Sequence, residues 1–187
     1  MRVIAGSLRG RRLKPPAWEG LRPTSDKLRE TLFNILAPRV AGARVLDGYA
    51  GTGALGIEAV SRGARTATFV DEDRRAVALI AENAAHCGIE NQCAIIRADI
   101  ARALERLRGG PAFEPFDIVL LDPPYALPNS SELDAILRAT GSLLARDGII
   151  VLEHARRAAV PDAAGELTRT RSVISGDSAL SFYEIRT

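Results

Sequence analysis

Residues 45–56 read VLDGYAGTGALG, and this stretch carries most of the information about the fold. Its first residues have the apolar character of a buried strand, and its last residues begin a helical pattern. A glycine-rich turn between a strand and a helix lets backbone approach a ligand closely at the carboxyl edge of a parallel sheet. The glycines also match dinucleotide spacing, so the turn alone does not identify the ligand.

Beyond this turn, short apolar runs alternate with helical patterns. Predicted strands lie at 44–47, 66–71, 94–98, 118–122 and 149–153, and predicted helices at 53–62, 74–87, 100–107 and 131–145. This alternation predicts parallel strands joined by crossover helices. Two further strand-like runs flank Gly176-Asp177, a pair suited to a hairpin turn. We therefore predict an α/β, Rossmann-like fold with a mostly parallel sheet and a C-terminal antiparallel hairpin.

The chain before the first strand is predicted to be an extension that packs on the core. Pro23-Thr24-Ser25 indicates a helix start, and apolar residues recur at helical spacing from Leu28 to Leu36 until Pro38 ends the pattern. We expect residues 1–42 to form this extension and residues 43–187 to form one catalytic domain.

Charge is distributed unevenly along the chain. Residues 1–29 carry eight basic and two acidic side chains, although the formal net charge of the whole chain is +2. A basic arm on a mildly acidic body is typical of proteins that bind a phosphate-rich partner. Arg9, Arg11, Arg12 and Lys14 are the candidate RNA-binding residues, and a solvated basic tail is the alternative interpretation.

Composition argues against several other classes of protein. No apolar run approaches the roughly 18 residues that a membrane span needs. Cys87 and Cys93 stand six positions apart without a second pair to complete a zinc site, so we predict no metal. We expect a cytoplasmic protein with no membrane partner, in the form of a monomer.

Carboxylates at three consecutive predicted strand ends favour S-adenosylmethionine as the cofactor. Asp47 precedes the glycines, where it could hold a cationic amino group but would repel a pyrophosphate. Asp71 ends the second strand, at a suitable distance along the chain to accept hydrogen bonds from ribose hydroxyls. Asp99 follows the third strand, where it could accept a hydrogen bond from the adenine amino group. Gly51 and Gly53 would lie against this cofactor. Any one of these acids could instead cap a helix.

The sequence Asp122-Pro123-Pro124-Tyr125 follows the apolar run at 118–121 and is the main catalytic candidate. Two prolines stiffen the loop and provide no N–H, so their carbonyls are left to face a pocket. The Asp122 carboxylate and the Pro123 carbonyl could each accept a hydrogen bond from one N–H of an exocyclic amino group on a base. Tyr125 could stack on the ring. The alternative is a double-proline turn that merely ends a strand.

In these motifs and in its N-terminal segments the chain closely resembles the RsmD family of 16S ribosomal RNA guanine-N2 methyltransferases. The resemblance covers nearly the whole chain and rests on these segments: Arg2-Val3-Ile4-Ala5-Gly6, Gly10-Arg11-Arg12-Leu13, Arg22-Pro23-Thr24-Ser25-Asp26, residues 29–36 (RETLFNIL), the glycine loop through Ile57-Glu58-Ala59, Ser61-Arg62-Gly63-Ala64 and Asp122-Pro123-Pro124-Tyr125. This combination is far more specific than the methyltransferase motifs alone.

The resemblance implies a seven-stranded class I methyltransferase fold that acts on guanine N2 within an assembled or assembling small ribosomal subunit. It implies that Arg22 and Thr24 line the cofactor site from the extension. Two features depart from the family pattern. Gly48 stands before Tyr49 and could loosen the strand end, and the run Asp71-Glu72-Asp73 leaves open which acid holds the ribose.

The sequence is also compatible with three other functions. An adenine-N6 methyltransferase of RNA or DNA would use the same geometry around Asp122, although a DNA enzyme usually needs a separate recognition domain. A protein-glutamine methyltransferase is associated with Asn at this position. A ribosome assembly module without catalysis would have no need of Asp47, Asp71 and Asp122.

Overall fold

The structure is a computed structural model that describes residues 1–18, 25–111, 113–123 and 130–186. Five α-helices occur in these ranges: α1 (Asp26–Val40), α2 (Ala54–Ser61), α3 (Arg74–Cys87), α4 (Ile100–Arg108) and α5 (Ser130–Gly141). The strands in the same ranges are β1 (Arg44–Gly48), β2 (Thr66–Asp71), β3 (Cys93–Arg97), β4 (Phe116–Leu121), β5 (Leu144–Ala155), β6 (Ala163–Ala164), β7 (Leu167–Ser175) and β8 (Ser178–Ile185).

The strands form one sheet in the order β3-β2-β1-β4-β5-β8-β7-β6. Strands β1 to β5 are parallel, whereas β8 pairs antiparallel with β5 and β7 pairs antiparallel with β8. This confirms the predicted α/β fold with a C-terminal hairpin. The seven longer strands match the expected number, and the two-residue β6 adds an eighth at the edge. The order reverses between β1 and β4, which is where ligands bind in open parallel sheets.

Apolar side chains cover both faces of the sheet. On one face, α1 and α2 pack over a cluster that includes Val45, Leu120 and Val151. On the other face, α4 and α5 pack over alternate residues of the same strands, among them Leu46 and Leu121. Because neighbouring residues of a strand point to opposite faces, this burial accounts for the continuous apolar runs in the sequence.

Several predicted boundaries differ from the structure, and two of these differences have a clear physical reason. Pro38 does not end α1, which continues to Val40, because a proline in the last turn of a helix removes only one of its hydrogen bonds. The predicted helix at 131–145 ends at Gly141, and Leu144 already belongs to β5. Leu143 and Leu144 are buried in the same cluster as α5, so their apolar character imitates a continued helix.

The N-terminal arm, residues 1–14, folds back on itself and packs on α2 and α3. The amide of Val3 donates to the Arg11 carbonyl at 2.9 Å, and the buried Glu58 carboxylate accepts the amides of Ile4 (2.7 Å) and Ala5 (3.0 Å). At Gly6 an added Cβ would lie 1.8 Å from the Ser61 carbonyl oxygen, so only glycine fits there. The arm is a docked part of the domain and not a solvated tail.

Candidate active site

The glycine loop leaves β1 through three residues in the left-handed region. Tyr49, Gly51 and Gly53 have φ values of 62°, 55° and 74°, and the Gly53 amide donates to the Ala50 carbonyl at 2.7 Å. This conformation is easy for glycine and strained for tyrosine, and such strain is concentrated at functional sites. At Gly56 an added Cβ would lie 2.3 Å from the Phe69 ring. The loop therefore needs glycine both for its turn and for its contact with β2.

Gly48 does not loosen the end of β1. It pairs with Val70 of β2 and Leu121 of β4, so the strand is held on both sides up to its last residue. An added Cβ at Gly48 would lie 2.8 Å from the Leu121 side chain. A larger residue here would require a smaller or displaced neighbour on β4.

Asp47 is a buried carboxylate at the carboxyl end of β1. Its Oδ2 atom accepts the Gly56 amide at 2.8 Å, and the residue is 1% exposed. Burial raises the pKa of Asp47 well above its ordinary value, the bond from Gly56 opposes this rise, and the charges of Asp122 and Asp71 add to it. A buried negative charge beside two others is an environment that a ligand cation would stabilise.

Asp71, at the end of β2, holds the glycine loop in place. One carboxylate oxygen accepts the Gly51 amide at 2.8 Å, and the other accepts the Asp73 amide at 2.9 Å. Asp73 in turn caps α3 and pairs with Arg75, which lowers the pKa of Asp73. Asp73 is thus occupied within the protein, whereas Asp71 keeps further acceptor positions and Glu72 is exposed.

Asp99 follows β3 and caps α4. Its Oδ1 atom accepts the amides of Ala101 at 3.0 Å and Arg102 at 3.4 Å. Asp99 therefore caps a helix, as the alternative interpretation of the sequence held. These capping bonds do not involve its second carboxylate oxygen. Burial, and then the charge of Asp99, raise the pKa of the Tyr49 phenol.

Asp122 and Pro123 lie at the carboxyl end of β4, next to the glycine loop. The Asp122 amide donates to the Gly48 carbonyl at 3.4 Å, and both residues are partly buried. The sheet therefore brings Asp47, Asp71 and Asp122 together at one edge, as the sequence predicted. Three other predicted site residues, Tyr125, Arg22 and Thr24, lie outside the described residues.

Sequence reasoning missed Glu153, which is 7% exposed near the end of β5. Leu121 pairs with Leu152, so Glu153 stands beside Asp122, and the alternation of both strands puts the two carboxylates on the face covered by α1. The signal was present, because a charged residue directly after the apolar run 149–152 is unusual in a buried strand.

The four basic candidates of the arm are all exposed but differ in their contacts. The Arg11 guanidinium donates to the His86 carbonyl at 2.9 Å, and Lys14 pairs with Glu82 at 3.0 Å. For Arg9 and Arg12, no ion pair is formed with any described residue. These two side chains are the ones most available to a phosphate.

Within the described part of the chain, there is neither a candidate metal site nor a candidate membrane-spanning helix. No group of three or more His, Cys, Asp or Glu side chains within it could hold a metal ion. None of its helices combines the length and the apolar character that crossing a membrane requires.

The sheet order and the glycine loop define the class of protein by its fold. The chain has the fold of S-adenosylmethionine-dependent methyltransferases. A chain from Streptococcus mutans described as such a methyltransferase superposes with a TM-score of 0.69 at 18% identity, over 84% of this chain and 49% of that one. This likeness establishes the fold alone.

The particular family follows from closer matches. The family model described as conserved hypothetical protein 95 matches residues 1–184, and the chain belongs to this family, the RsmD family. Ribosomal RNA small subunit methyltransferase D of Escherichia coli K12 is 35% identical over 184 residues, which cover 98% of this chain and 89% of that protein. The structure of a hypothetical protein from Thermus thermophilus has a TM-score of 0.83 at 31% identity and covers 99% of both chains.

Proposed function

We propose that this protein transfers a methyl group from S-adenosylmethionine to the exocyclic N2 of a guanine in small-subunit ribosomal RNA. The observation that carries the proposal is the position of Asp122-Pro123 at the carboxyl end of β4, beside the glycine loop. Membership of a family that includes ribosomal RNA small subunit methyltransferase D supports a ribosomal RNA substrate.

The residues of the glycine loop suit the proposed cofactor. Asp47 is a buried acid in need of a cationic partner, and the amino group of S-adenosylmethionine is such a partner. The backbone at Gly51 and Gly53 can approach the ligand without side chains, and Asp71 or Glu72 can accept hydrogen bonds from the ribose. Asp99 keeps one oxygen for the adenine amino group. When bound, the cofactor supplies an electrophilic methyl group.

The residues at the end of β4 position the acceptor amine. The Asp122 carboxylate accepts one N–H of the guanine amino group, and the Pro123 carbonyl accepts the other. Both acceptors stabilise the positive charge that develops on nitrogen during transfer, and the Asp122 carboxylate accepts the proton that nitrogen loses. Tyr125 stacks on the base, which must leave its helix to enter the site.

RNA binding involves the arm in this proposal. The phosphates are contacted by Arg9, Arg11, Arg12 and Lys14. Arg9 and Arg12 are the main contributors, because their charges are not engaged within the described structure.

We expect Arg9→Gln/Arg12→Gln to bind an RNA stem-loop more weakly and to reduce the magnitude of the slope of log affinity against log salt by about one to two. An unchanged slope in an anisotropy titration would show that the arm does not bind RNA.

A methyl-transfer assay tests the proposed function. Tritium-labelled S-adenosylmethionine is incubated with the protein and with unmodified 30S subunits, free 16S RNA or duplex DNA, and the nucleosides are separated. We expect label in N2-methylguanosine from a ribosomal sample. Label in N6-methyladenosine would favour the adenine alternative. Absence of label, together with no heat of cofactor binding in calorimetry, would favour an assembly module without catalysis.

A further inference from the structure

The turn after β5 carries two exposed arginines at the same edge of the sheet as the site. Arg156 follows Glu153 by three residues, and its amide donates to the Asp177 carbonyl at 2.7 Å, which holds it against the turn between β7 and β8. From strand spacing and rise, Arg156 lies roughly 10 Å from Asp122. This separation is comparable with the reach from a base to the phosphates beside it.

The charges of Arg156 and Arg157 are not used within the described structure. Several other arginines pair with acids, such as Arg138 with Asp134 at 2.6 Å and Arg75 with Asp73 at 2.7 Å. No described carboxylate lies within ion-pair distance of Arg156 or Arg157, and both side chains are exposed. Two adjacent positive charges therefore face solvent.

The site itself is strongly acidic at this edge. The carboxylates are Asp47, Asp71, Glu72, Asp99, Asp122 and Glu153. Their charges would repel the phosphates of a nucleic acid whose base enters the site. Bringing RNA to this edge therefore requires positive charge at its border, close to the acids.

The arm alone does not supply that charge. The tip of the arm, residues 7–12, lies beside the C-terminal ends of α2 and α3. The Ser7 amide donates to the Ser61 carbonyl at 2.8 Å, and the Arg11 guanidinium donates to the His86 carbonyl. In a parallel α/β unit these helix ends lie at the edge opposite the site. The basic side chains at the tip thus hold RNA at a distance from the reacting base.

We propose that Arg156 and Arg157 bind the phosphates next to the target nucleotide. This inference rests on the proposed function, because it requires an RNA substrate. The two guanidinium groups offset the repulsion from the acidic edge and hold the strand while the base occupies the site. They contribute to RNA affinity and not to cofactor affinity.

Salt-dependent RNA binding tests the proposal. A fluorescein-labelled RNA stem-loop is titrated with full-length protein at several potassium chloride concentrations, and anisotropy gives the affinity. We expect Arg156→Gln/Arg157→Gln to weaken binding about tenfold at low salt and to lower the salt slope by about one to two. Arg156→Lys/Arg157→Lys keeps both charges and should retain most of the slope.

Arg106→Gln/Arg108→Gln is the matched control, because it removes two exposed charges near the C-terminal end of α4, at the opposite edge. We expect this variant to keep the wild-type slope. Equal slopes for all variants, or equal losses in both glutamine variants, would overturn the proposal while leaving RNA binding intact. If the wild-type protein does not bind the RNA even at low salt, the proposed RNA substrate itself fails.

Discussion

Replacing Asp122 with alanine is expected to reduce kcat by about 100- to 1,000-fold, the range typical of losing one well-placed electrostatic contact to the transition state. The carboxylate is proposed to hold the acceptor amine and not the cofactor. Cofactor affinity should therefore stay within about threefold of wild type, which corresponds to less than about 1 kcal/mol. Single-turnover methyl transfer and calorimetry with S-adenosylhomocysteine measure the two quantities separately.

Asp117→Asn is a suitable control for this experiment. Asp117 lies on the same strand, near its other end, where its Oδ2 atom accepts the Arg44 amide at 2.7 Å. Asparagine can accept the same bond, so activity should not change. If Asp122→Ala lost cofactor affinity as strongly as turnover, Asp122 would belong to the cofactor site, and normal turnover would remove it from the mechanism.

Asp47→Asn is expected to weaken cofactor binding by about 100-fold or more, in line with the cost of breaking a buried ion pair. Asparagine has nearly the same shape and can still accept the Gly56 amide, so the glycine loop should keep its conformation. What it lacks is the charge that we propose binds the amino group of the cofactor. Calorimetry with S-adenosylhomocysteine measures the loss, and wild-type affinity would rule out this contact.

The same substitution should change how stability depends on pH. Because the pKa of Asp47 is raised in the folded protein, the folded state holds this proton more tightly than the unfolded state. The contribution of Asp47 to stability is thus fully present below pH 3.8 and is lost as pH rises through the folded pKa. In urea unfolding without cofactor, the stability of Asp47→Asn relative to wild type should increase over this range. A constant difference would contradict the assigned cause.

Much of the fold followed from the sequence because burial leaves a regular pattern. Strands covered on both faces must be apolar throughout, so β1, β2 and β4 were visible as short runs, and the acids after them were predicted to share one edge. Parallel order puts every carboxyl end at that edge, which is why Asp47, Asp71 and Asp122 could be brought together without a structure.

Other features depend on contacts between distant residues and leave no local pattern. The sequence did not indicate that Asp71 would hold the Gly51 amide, or that the arm would dock on Glu58. The left-handed conformation of Tyr49 is imposed by the loop around it, since tyrosine has no preference for it. Glu153 was included in a predicted strand but not considered as a site residue, because its position beside Asp122 depends on how β4 and β5 pair.

The pairing of β5 with β8 has a consequence for the order in which the chain is made. Strand β5 is central in the finished sheet, yet its partner β8 leaves the ribosome after every other strand of the sheet. Until then the apolar residues 149–152 lie on an open strand edge, which is a template for association with other chains. A chain cut before Ser178 would retain every proposed catalytic residue and still be prone to aggregate.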